Sequence, residues 1–209
     1  MSRSTLLQIG PLMPALEAAL REQHTVLSAQ AATADAPLAD RADAARVVAV
    51  VTSAPVGVPA GWLAQLPALK VVSSFGVGLD RLPLDAARAA SLPVGYTPDV
   101  LNDCVADLAM GLLIDGARRI AAADRFVRRG DWLQGRYPLR TRVSGKRLGI
   151  VGLGRIGQAV ARRAAGFDMA IAYTKRSPAE GVSWRHEPSL LALAEWADFL
   201  VLTVAASPA

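Results

Sequence analysis

The sequence predicts an α/β protein built on parallel sheets, and three observations lead to this fold class. Short apolar runs alternate with segments of helical periodicity along most of the chain, a pattern typical of parallel strands joined by crossover helices. The composition is 52% apolar and 20% charged, which is typical of a globular chain with hydrophobic cores. The length of 209 residues is enough for two small domains.

The pattern of residues 1–100 predicts one small, doubly wound domain of flavodoxin-like type. Its apolar runs are short, and most are separated by segments with helical spacing, so a single parallel sheet is expected. The Ala/Asp-rich stretch 31–44 is the one part that resembles a low-complexity linker. The predicted strands are 6–10, 25–29, 46–53, 69–76 and 92–97, and the predicted helices are 13–23, about 60–67 and 84–91.

Residues 101–209 predict a second α/β domain that begins with a long helix over about 103–129. Apolar residues recur in that segment at three-to-four spacing, as in an amphipathic helix; they are Val105, Leu108, Leu112 and Ile120. After a loop at 130–146, strand–helix alternation resumes. The predicted strands there are 147–152, 169–174 and 198–204, and the predicted helices are 155–167 and 188–197.

The segment "LGIVGLGRIGQAVARRA" (148–164) carries the spacing GxGxxG between a predicted strand and a predicted helix. Gly152 suits a tight turn after the strand, Gly154 lets the backbone approach a pyrophosphate, and Gly157 allows close helix–strand packing. The helix that starts near Arg155 and Ile156 would offer its unpaired N–H groups to the phosphates. The pattern predicts a dinucleotide-binding Rossmann domain, with a purely structural glycine turn as the alternative.

The end of the next predicted strand indicates which dinucleotide is bound. An NAD site places an acidic residue there, about 20 residues beyond the glycines, against the ribose 2′-hydroxyl. This chain instead has Thr174, Lys175, Arg176 and Ser177 in "AYTKRSP". Two cations and a hydroxyl can bind a 2′-phosphate through charge-assisted hydrogen bonds. We therefore predict NADP(H), with NAD(H) as the less preferred coenzyme; the alternative is an ordinary solvated basic turn.

Two long motifs resemble the D-isomer-specific 2-hydroxyacid dehydrogenases, within them the glyoxylate/hydroxypyruvate and hydroxyphenylpyruvate reductases. They are "VVSSFGVGLDRLPLDAARAASLPVGYTPDVLNDCVADLAMGLL" (71–113) and "SGKRLGIVGLGRIGQAVARRAAGF" (144–167). The resemblance implies NADPH-dependent reduction of a small 2-keto acid to the D-2-hydroxy acid. It also implies that residues 1–100 bind the substrate and residues 101–209 bind the cofactor. In such proteins the region of the long helix joins two subunits, and the apolar Trp132, Leu133 and Tyr137 after it agree with a homodimer; the alternative is that these side chains pack back on their own chain.

The resemblance also implies site residues in both domains. The loop "FGVG" would offer the backbone N–H groups of Val77 and Gly78 to the substrate carboxylate, flanked by Phe75 and Leu79; a plain strand-ending turn is the alternative. Near the nicotinamide the implied residues are Leu101 and Asp103, although Asp103 also suits the first turn of a helix. The predicted cofactor set is completed by Leu153, Thr203 and Val204.

The family's catalytic Arg, Glu and His follow the strand matched here by 198–204, so we expect them beyond Ala209 and expect an incomplete cofactor domain that is inactive alone. The two histidines of the chain, His24 and His186, are interpreted as surface or hydrogen-bonded residues rather than substitutes. The alternative function is a non-catalytic NADP(H)-binding or corepressor-like module. A continuation of the reading frame carrying those residues would distinguish the two.

Charge, apolar runs and cysteine content limit the expected partners and the expected cellular location. The net charge is +5, but the arginines are scattered without interleaved aromatics, so no specific nucleic acid is expected. The denser basic stretch 118–147 could be a helix face or could attract anions. No apolar run approaches the roughly 18 residues of a membrane span, and no metal site is expected. The single cysteine, Cys104, is expected to be buried, and it favours a reducing, cytoplasmic location.

Overall fold

Two parallel sheets, one in each half of the chain, form the framework of the computed structural model, which describes residues 3–29 and 41–204. The chain divides into two compact units, Met1–Val100 and Leu101–Ala209. Each sheet lies within one unit. The predicted α/β fold class with parallel sheets is confirmed.

The sheet of the first unit has five parallel strands in the order β2-β1-β3-β4-β5, the flavodoxin-like order. Its central strands are apolar on both faces, as expected for strands covered by helices on both sides; Leu6, Leu7 and Ile9 of β1 are all buried. The strands are β1 (Thr5–Ile9), β2 (Thr25–Ala29), β3 (Val47–Ser53), β4 (Val71–Phe75) and β5 (Val94–Gly95), and the α-helices are α1 (Pro14–Gln23), α2 (Arg41–Ala44) and α3 (Leu84–Ala89).

Three elements of this unit differ from the prediction. The segment predicted as a helix near 60–67 is a 3₁₀ helix at Ala60–Gln65, which starts after Pro59 and places Trp62 and Leu63 in the core. The last predicted strand, 92–97, shortens to two residues. The short helix α2 forms at the end of the linker-like stretch 31–44, of which residues 31–40 lie outside the described residues.

The sheet of the second unit has four parallel strands in the order β8-β7-β6-β9. Its core is formed by β6 and the alanine-rich face of the following helix, where Leu148, Ile150, Ala159 and Val160 are fully buried. Strand β8 was not predicted, because its two residues are both polar and show no alternation. The strands are β6 (Arg147–Val151), β7 (Ala170–Thr174), β8 (Arg185–His186) and β9 (Phe199–Leu202), and the α-helices are α4 (Asn102–Arg118), α5 (Ile120–Arg128), α6 (Arg155–Ala165) and α7 (Leu190–Trp196).

The single helix predicted over 103–129 is wrong, because the chain forms α4 and α5 with a break at Arg119. Arg119 has φ 56° and ψ 44°, the left-handed conformation that ends helices. The side chain of Asp115 stabilises the break, since its Oδ1 accepts a 2.7 Å hydrogen bond from the amide of Ala121 at the start of α5. The two helices therefore have different directions and can present separate faces.

Helix α4 packs on its own unit through a face other than the predicted apolar stripe. Ala106, Met110 and Ala117 are buried, whereas the periodic residues Val105, Leu108, Leu112 and Ile120 are exposed. Cys104, predicted to be buried, is exposed as well. None of the helices in the described part of the chain is both long and apolar enough to cross a membrane.

Candidate dinucleotide-binding site

Several predicted site residues of the second unit lie together at the carboxyl ends of its strands. From the central strand β6 the chain passes to β7 on one side, and β9 pairs with β6 on the other. This reversal of strand order is a topological switch point, where open α/β sheets bind ligands. Gly152 follows β6, Thr174 ends β7, and Thr203 follows β9. The sheet therefore positions three of the predicted cofactor residues at one edge.

The three glycines after β6 have different surroundings. Gly152 has φ +92°, and a Cβ there would lie 2.7 Å from Cγ1 of Val204. A Cβ on Gly157 would lie 2.4 Å from the carbonyl oxygen of Gly152, so this glycine is required for close approach of α6 to the turn. A Cβ on Gly154 would meet nothing within 4 Å. Two glycines thus build the turn, and the third leaves open space beside the backbone, as a bound pyrophosphate requires.

Helix α6 directs its N-terminus at this open space. It begins at Arg155 with Gly154 as the N-cap, has no side-chain cap and carries no acidic residue in its first turn. The N–H groups of the first helical turn have no carbonyl partner within the helix, and together with the positive end of the helix dipole they favour an anion here. The opposite wall is fixed by Thr203, whose hydroxyl donates to the carbonyl of Gly152 and whose amide donates to that of Val151.

A pocket of about 680 Å³ opens at the same edge. It brings together six predicted cofactor residues, Gly152, Thr174, Lys175, Arg176, Thr203 and Val204. Sequence reasoning missed three further lining residues, Val151, Pro188 and Leu190. The signal for Pro188 and Leu190 was the start of helix α7, where Ser189 is the N-cap and its hydroxyl accepts a hydrogen bond from the amide of Ala192; Val151 is the last residue of β6.

The pocket is basic at one end. Its lining includes Lys175 and Arg176 and includes neither Asp nor Glu. Both cations are exposed, as is Ser177, which follows them in the chain but is not part of the lining. At the end of β7, the position that selects between the two nicotinamide dinucleotides, the local charge is therefore positive.

Other predicted cofactor residues are not part of the lining of this pocket. Leu153 is only 1% exposed, so it can face a ligand with its backbone alone, and the side chain of Ile156 packs against the core. Leu101 is exposed at the N-cap of α4. The carboxylate of Asp103 accepts a 3.1 Å hydrogen bond from Arg163 near the end of α6. A contact of Leu101 and Asp103 with the nicotinamide stays a prediction.

Arg163 joins helices α4 and α6 through two carboxylates. Its Nε donates to Asp107 at 2.6 Å, and an Nη donates to Asp103. The hydrogen bond to Asp107, followed by that to Asp103, raises the pKa of the Arg163 guanidinium. These contacts stabilise the packing of the helix that bears the glycine turn.

The predicted carboxylate loop of the first unit follows β4. Gly76 has φ +136°, and a Cβ there would lie 2.6 Å from the Cβ of Ala54. The amide of Gly76 donates to Oγ1 of Thr97 at 3.0 Å, which fixes the start of the loop. Among the described residues, no hydrogen bond uses the amides of Val77 and Gly78, so both remain available to an anion. Phe75 beside them is 44% exposed, whereas Leu79 packs against the core.

The two histidines have separate surroundings. His186 is hydrogen-bonded through Nε2 to the carbonyl oxygen of Lys175 at 3.0 Å. His24 is half-buried, and its Nδ1 finds no hydrogen-bond partner among the described residues. The interpretation of His186 as a hydrogen-bonded residue is confirmed. His24 was also interpreted as a surface or hydrogen-bonded residue, and this is wrong for its Nδ1, which is buried and has no partner among the described residues.

Known proteins resemble this chain in sequence and in structure. The sequence profile of the D-isomer specific 2-hydroxyacid dehydrogenase NAD-binding domain matches residues 110–209. A glyoxylate/hydroxypyruvate reductase of Arabidopsis thaliana is 45% identical over 154 residues, which are 74% of this chain and 49% of that protein. The structure of a 2-hydroxyacid dehydrogenase from Ketogulonicigenium vulgare has a TM-score of 0.87 at 38% identity and covers 100% of this chain and 66% of that one.

A further similar structure contains a coenzyme. It is an NADPH-dependent glyoxylate/hydroxypyruvate reductase from Sinorhizobium meliloti in complex with NADP and malonate, with a TM-score of 0.84 and 35% identity. The match covers 97% of this chain and 63% of that one. The chain thus spans between about half and two thirds of the length of these relatives. Together with the glycine turn and the two parallel sheets, these matches show that the chain belongs to the D-isomer-specific 2-hydroxyacid dehydrogenases, a family of NAD(P)-dependent oxidoreductases, and that its second unit is a nicotinamide-dinucleotide-binding domain.

Proposed function

We propose that the whole protein reduces a small 2-keto acid of the glyoxylate/hydroxypyruvate type to the D-2-hydroxy acid, with NADP(H) preferred over NAD(H). The observation that carries the coenzyme choice is the pocket at the end of β7, which is lined by Lys175 and Arg176 and by no carboxylate. The keto-acid class is supported by the relatives named above, which include glyoxylate/hydroxypyruvate reductases.

Charge explains the proposed preference. A ribose 2′-phosphate carries negative charge that an acidic residue at the strand end would repel, whereas Lys175 and Arg176 attract it. The hydroxyl of Ser177, next in the chain, is a further hydrogen-bond donor in this proposal. Because both cations are exposed, solvent screens part of their attraction, so the preference depends on direct hydrogen bonds more than on net charge.

Each unit has a separate task in the proposed reaction. The bound dinucleotide supplies the hydride, and the N-terminus of α6 with the open side of Gly154 holds its pyrophosphate. In the first unit, the amides of Val77 and Gly78 bind the substrate carboxylate, since two adjacent N–H groups in a loop form an anion site. Phe75 supplies an exposed apolar surface beside that carboxylate.

The coenzyme preference is tested by replacing Arg176 with Ala and measuring the dissociation constants of NADPH and NADH by calorimetry. Loss of one charge-assisted hydrogen bond should weaken NADPH binding by about tenfold or more and leave NADH binding nearly unchanged. The matched control is Arg162→Ala, which removes the same charge from an exposed position in the last turn of α6. An unchanged NADPH/NADH ratio in Arg176→Ala would contradict the proposal.

We also propose that the protein is a homodimer that pairs through α4, α5 and the segment after them. Exposed large apolar side chains are concentrated in this part of the second unit, and such a concentration is typical of an interface. The residues concerned are Val105, Leu108, Leu112, Ile120, Val127, Trp132, Leu133 and Leu139.

A further inference from the structure

The turn that bears the proposed 2′-phosphate residues is fixed at both of its ends. Lys175, Arg176 and Ser177 are exposed, so their side chains have no packing that would order the backbone beneath them. Two hydrogen bonds do this instead, one at Lys175 and one at Ala179. Neither of the residues that make these bonds was predicted to belong to the site.

The first bond comes from His186. Its Nε2 lies 3.0 Å from the carbonyl oxygen of Lys175. Because a carbonyl oxygen only accepts, the proton of the imidazole must be on Nε2. His186 therefore donates to the backbone at the residue where the basic turn begins.

The second bond goes to Tyr173. The amide of Ala179 donates to the phenolic oxygen of Tyr173 at 2.8 Å. Tyr173 itself is 1% exposed, so its ring is held by the core of the unit and gives this acceptor a fixed position. The basic turn is thus bonded to a rigid group where it ends.

The two bonding residues are also linked to each other. Tyr173 on β7 and His186 on β8 are register partners in the sheet, and their ring centroids are 5.2 Å apart at an interplanar angle of 47°. The amide of Glu187 donates to the carbonyl of Tyr173 at 2.8 Å and continues the pairing. Strand β8, which was not predicted from the sequence, therefore has a structural role. It places His186 beside Tyr173, where its Nε2 reaches the carbonyl oxygen of Lys175.

We propose that His186 and Tyr173 are positioning residues for coenzyme selection: they hold the Lys175–Arg176–Ser177 turn in the conformation that receives a 2′-phosphate. A turn ordered before binding loses less conformational entropy when the ligand arrives, and this increases affinity. The effect is confined to ligands that carry the 2′-phosphate, since only they contact the turn. This inference rests on the proposed NADP(H) preference.

The test compares adenosine 2′,5′-bisphosphate with adenosine 5′-monophosphate, two probes that differ only in the 2′-phosphate. Their dissociation constants are measured on the full chain and on His186→Ala, His186→Gln and Tyr173→Phe. In His186→Ala and Tyr173→Phe the bisphosphate should bind about three- to tenfold more weakly, with the monophosphate unchanged. His186→Gln should recover most of the loss, because the Gln side-chain amide can also donate to the carbonyl of Lys175.

Arg185→Lys is the matched control, because Arg185 precedes His186 on β8 and its guanidinium stacks on Trp196 instead of contacting the turn. This substitution keeps the charge and should leave both dissociation constants unchanged. Thermal melting of each variant reports whether the domain is folded, and Tyr173→Phe provides the test if His186→Ala does not fold.

The outcomes separate this inference from the proposed function. If the unchanged chain does not prefer the bisphosphate, the proposed NADP(H) preference is wrong. If it does prefer the bisphosphate but folded His186→Ala and Tyr173→Phe keep the same ratio, the positioning role is wrong. An equal loss of affinity for both probes would show that the two residues have a general structural role, and this result would also overturn the inference.

Discussion

At the scale of single residues, the three glycines of the GxGxxG segment lie within six positions but have different roles. Two are required by the packing of the turn, and the third leaves room for a ligand. Gly152 and Gly157 have no room for a Cβ, since its nearest neighbours would be at 2.7 Å and 2.4 Å, whereas Gly154 faces open space. The GxGxxG spacing predicted the tight turn at Gly152 and the close packing at Gly157, and the Cβ distances agree with both; the pyrophosphate contact of Gly154 stays a prediction. The spacing could not show that Thr203 and Val204, which are distant in sequence, contribute to the clashes at these positions.

This difference predicts opposite behaviour for two alanine variants. Gly157→Ala should lower the free energy of unfolding by about 1–3 kcal/mol, because the new methyl group overlaps the carbonyl oxygen of Gly152. Gly154→Ala should leave stability nearly unchanged but weaken NADPH binding by about ten- to hundredfold, because the methyl group keeps the phosphates from the amides. Urea unfolding and calorimetric titration measure the two effects. The roles assigned to the two glycines would be contradicted if Gly157→Ala were as stable as the unchanged chain. They would also be contradicted if Gly154→Ala bound NADPH as tightly as the unchanged chain does.

At the scale of elements, the pairing of β9 with β6 is stabilised at its amino end by one ion pair. The carboxylate of Asp198 accepts hydrogen bonds from the amide, Nε and Nη2 of Arg147 at 2.9, 3.1 and 3.0 Å. These bonds, with the side-chain bond as the largest cause, lower the pKa of Asp198 to about 2. Since the two residues are 51 positions apart in the chain, no local pattern could have predicted the contact.

The lowered pKa predicts a pH-dependent effect of Asp198→Asn. The carboxylate stabilises the folded state fully above the pKa of an unfolded Asp, about 3.9, and this contribution is lost as the pH falls through about 2. The variant should therefore be less stable than the unchanged chain at pH 7, and the difference should shrink between about pH 4 and pH 2. Urea midpoints measured over that range provide the check.

The control for this prediction is Asp85→Asn, whose carboxylate bonds only to the exposed Arg88 three residues later. It should change the urea midpoint little at any pH. A difference between Asp198→Asn and the unchanged chain that stays constant from pH 7 to pH 2 would contradict the role of the Asp198 carboxylate.

Periodicity predicted most strands and helices, and the exceptions have physical reasons. The break at Arg119 was missed because Arg favours helices and only rarely adopts the left-handed conformation found there. Strand β8 was missed because its two residues gain their pairing from β7. The buried face of α4 could not be chosen from the sequence, because apolar residues lie both on the buried face, with Ala106 and Met110, and on the exposed face, with Leu108 and Leu112.

At the scale of the whole molecule, the exposed large apolar residues of α4 lead to a prediction about assembly. Leu108, which is 63% exposed, should be buried in the proposed homodimer. Leu108→Glu should therefore shift the protein from dimer to monomer, because a charged side chain at an apolar interface is desolvated without a partner. Size-exclusion chromatography with light scattering measures the mass. The control is Met13→Glu on the first unit, also at an exposed apolar residue.

Two results would contradict the assembly proposal. One is a monomeric mass for the unchanged chain across the accessible concentrations. The other is a dimer that Leu108→Glu and Met13→Glu leave equally intact. In either case the exposed apolar surface of α4 and α5 would need another explanation.

The central claim is that the glycine turn and the basic end of β7 together form a site for a dinucleotide with a 2′-phosphate. Calorimetric titration of the folded 209-residue chain with NADPH and, separately, with NADH tests it most directly. The account predicts binding of NADPH at one site per chain, about tenfold or more tighter than NADH. Folded protein that takes up neither dinucleotide, or that binds NADH more tightly, would contradict it.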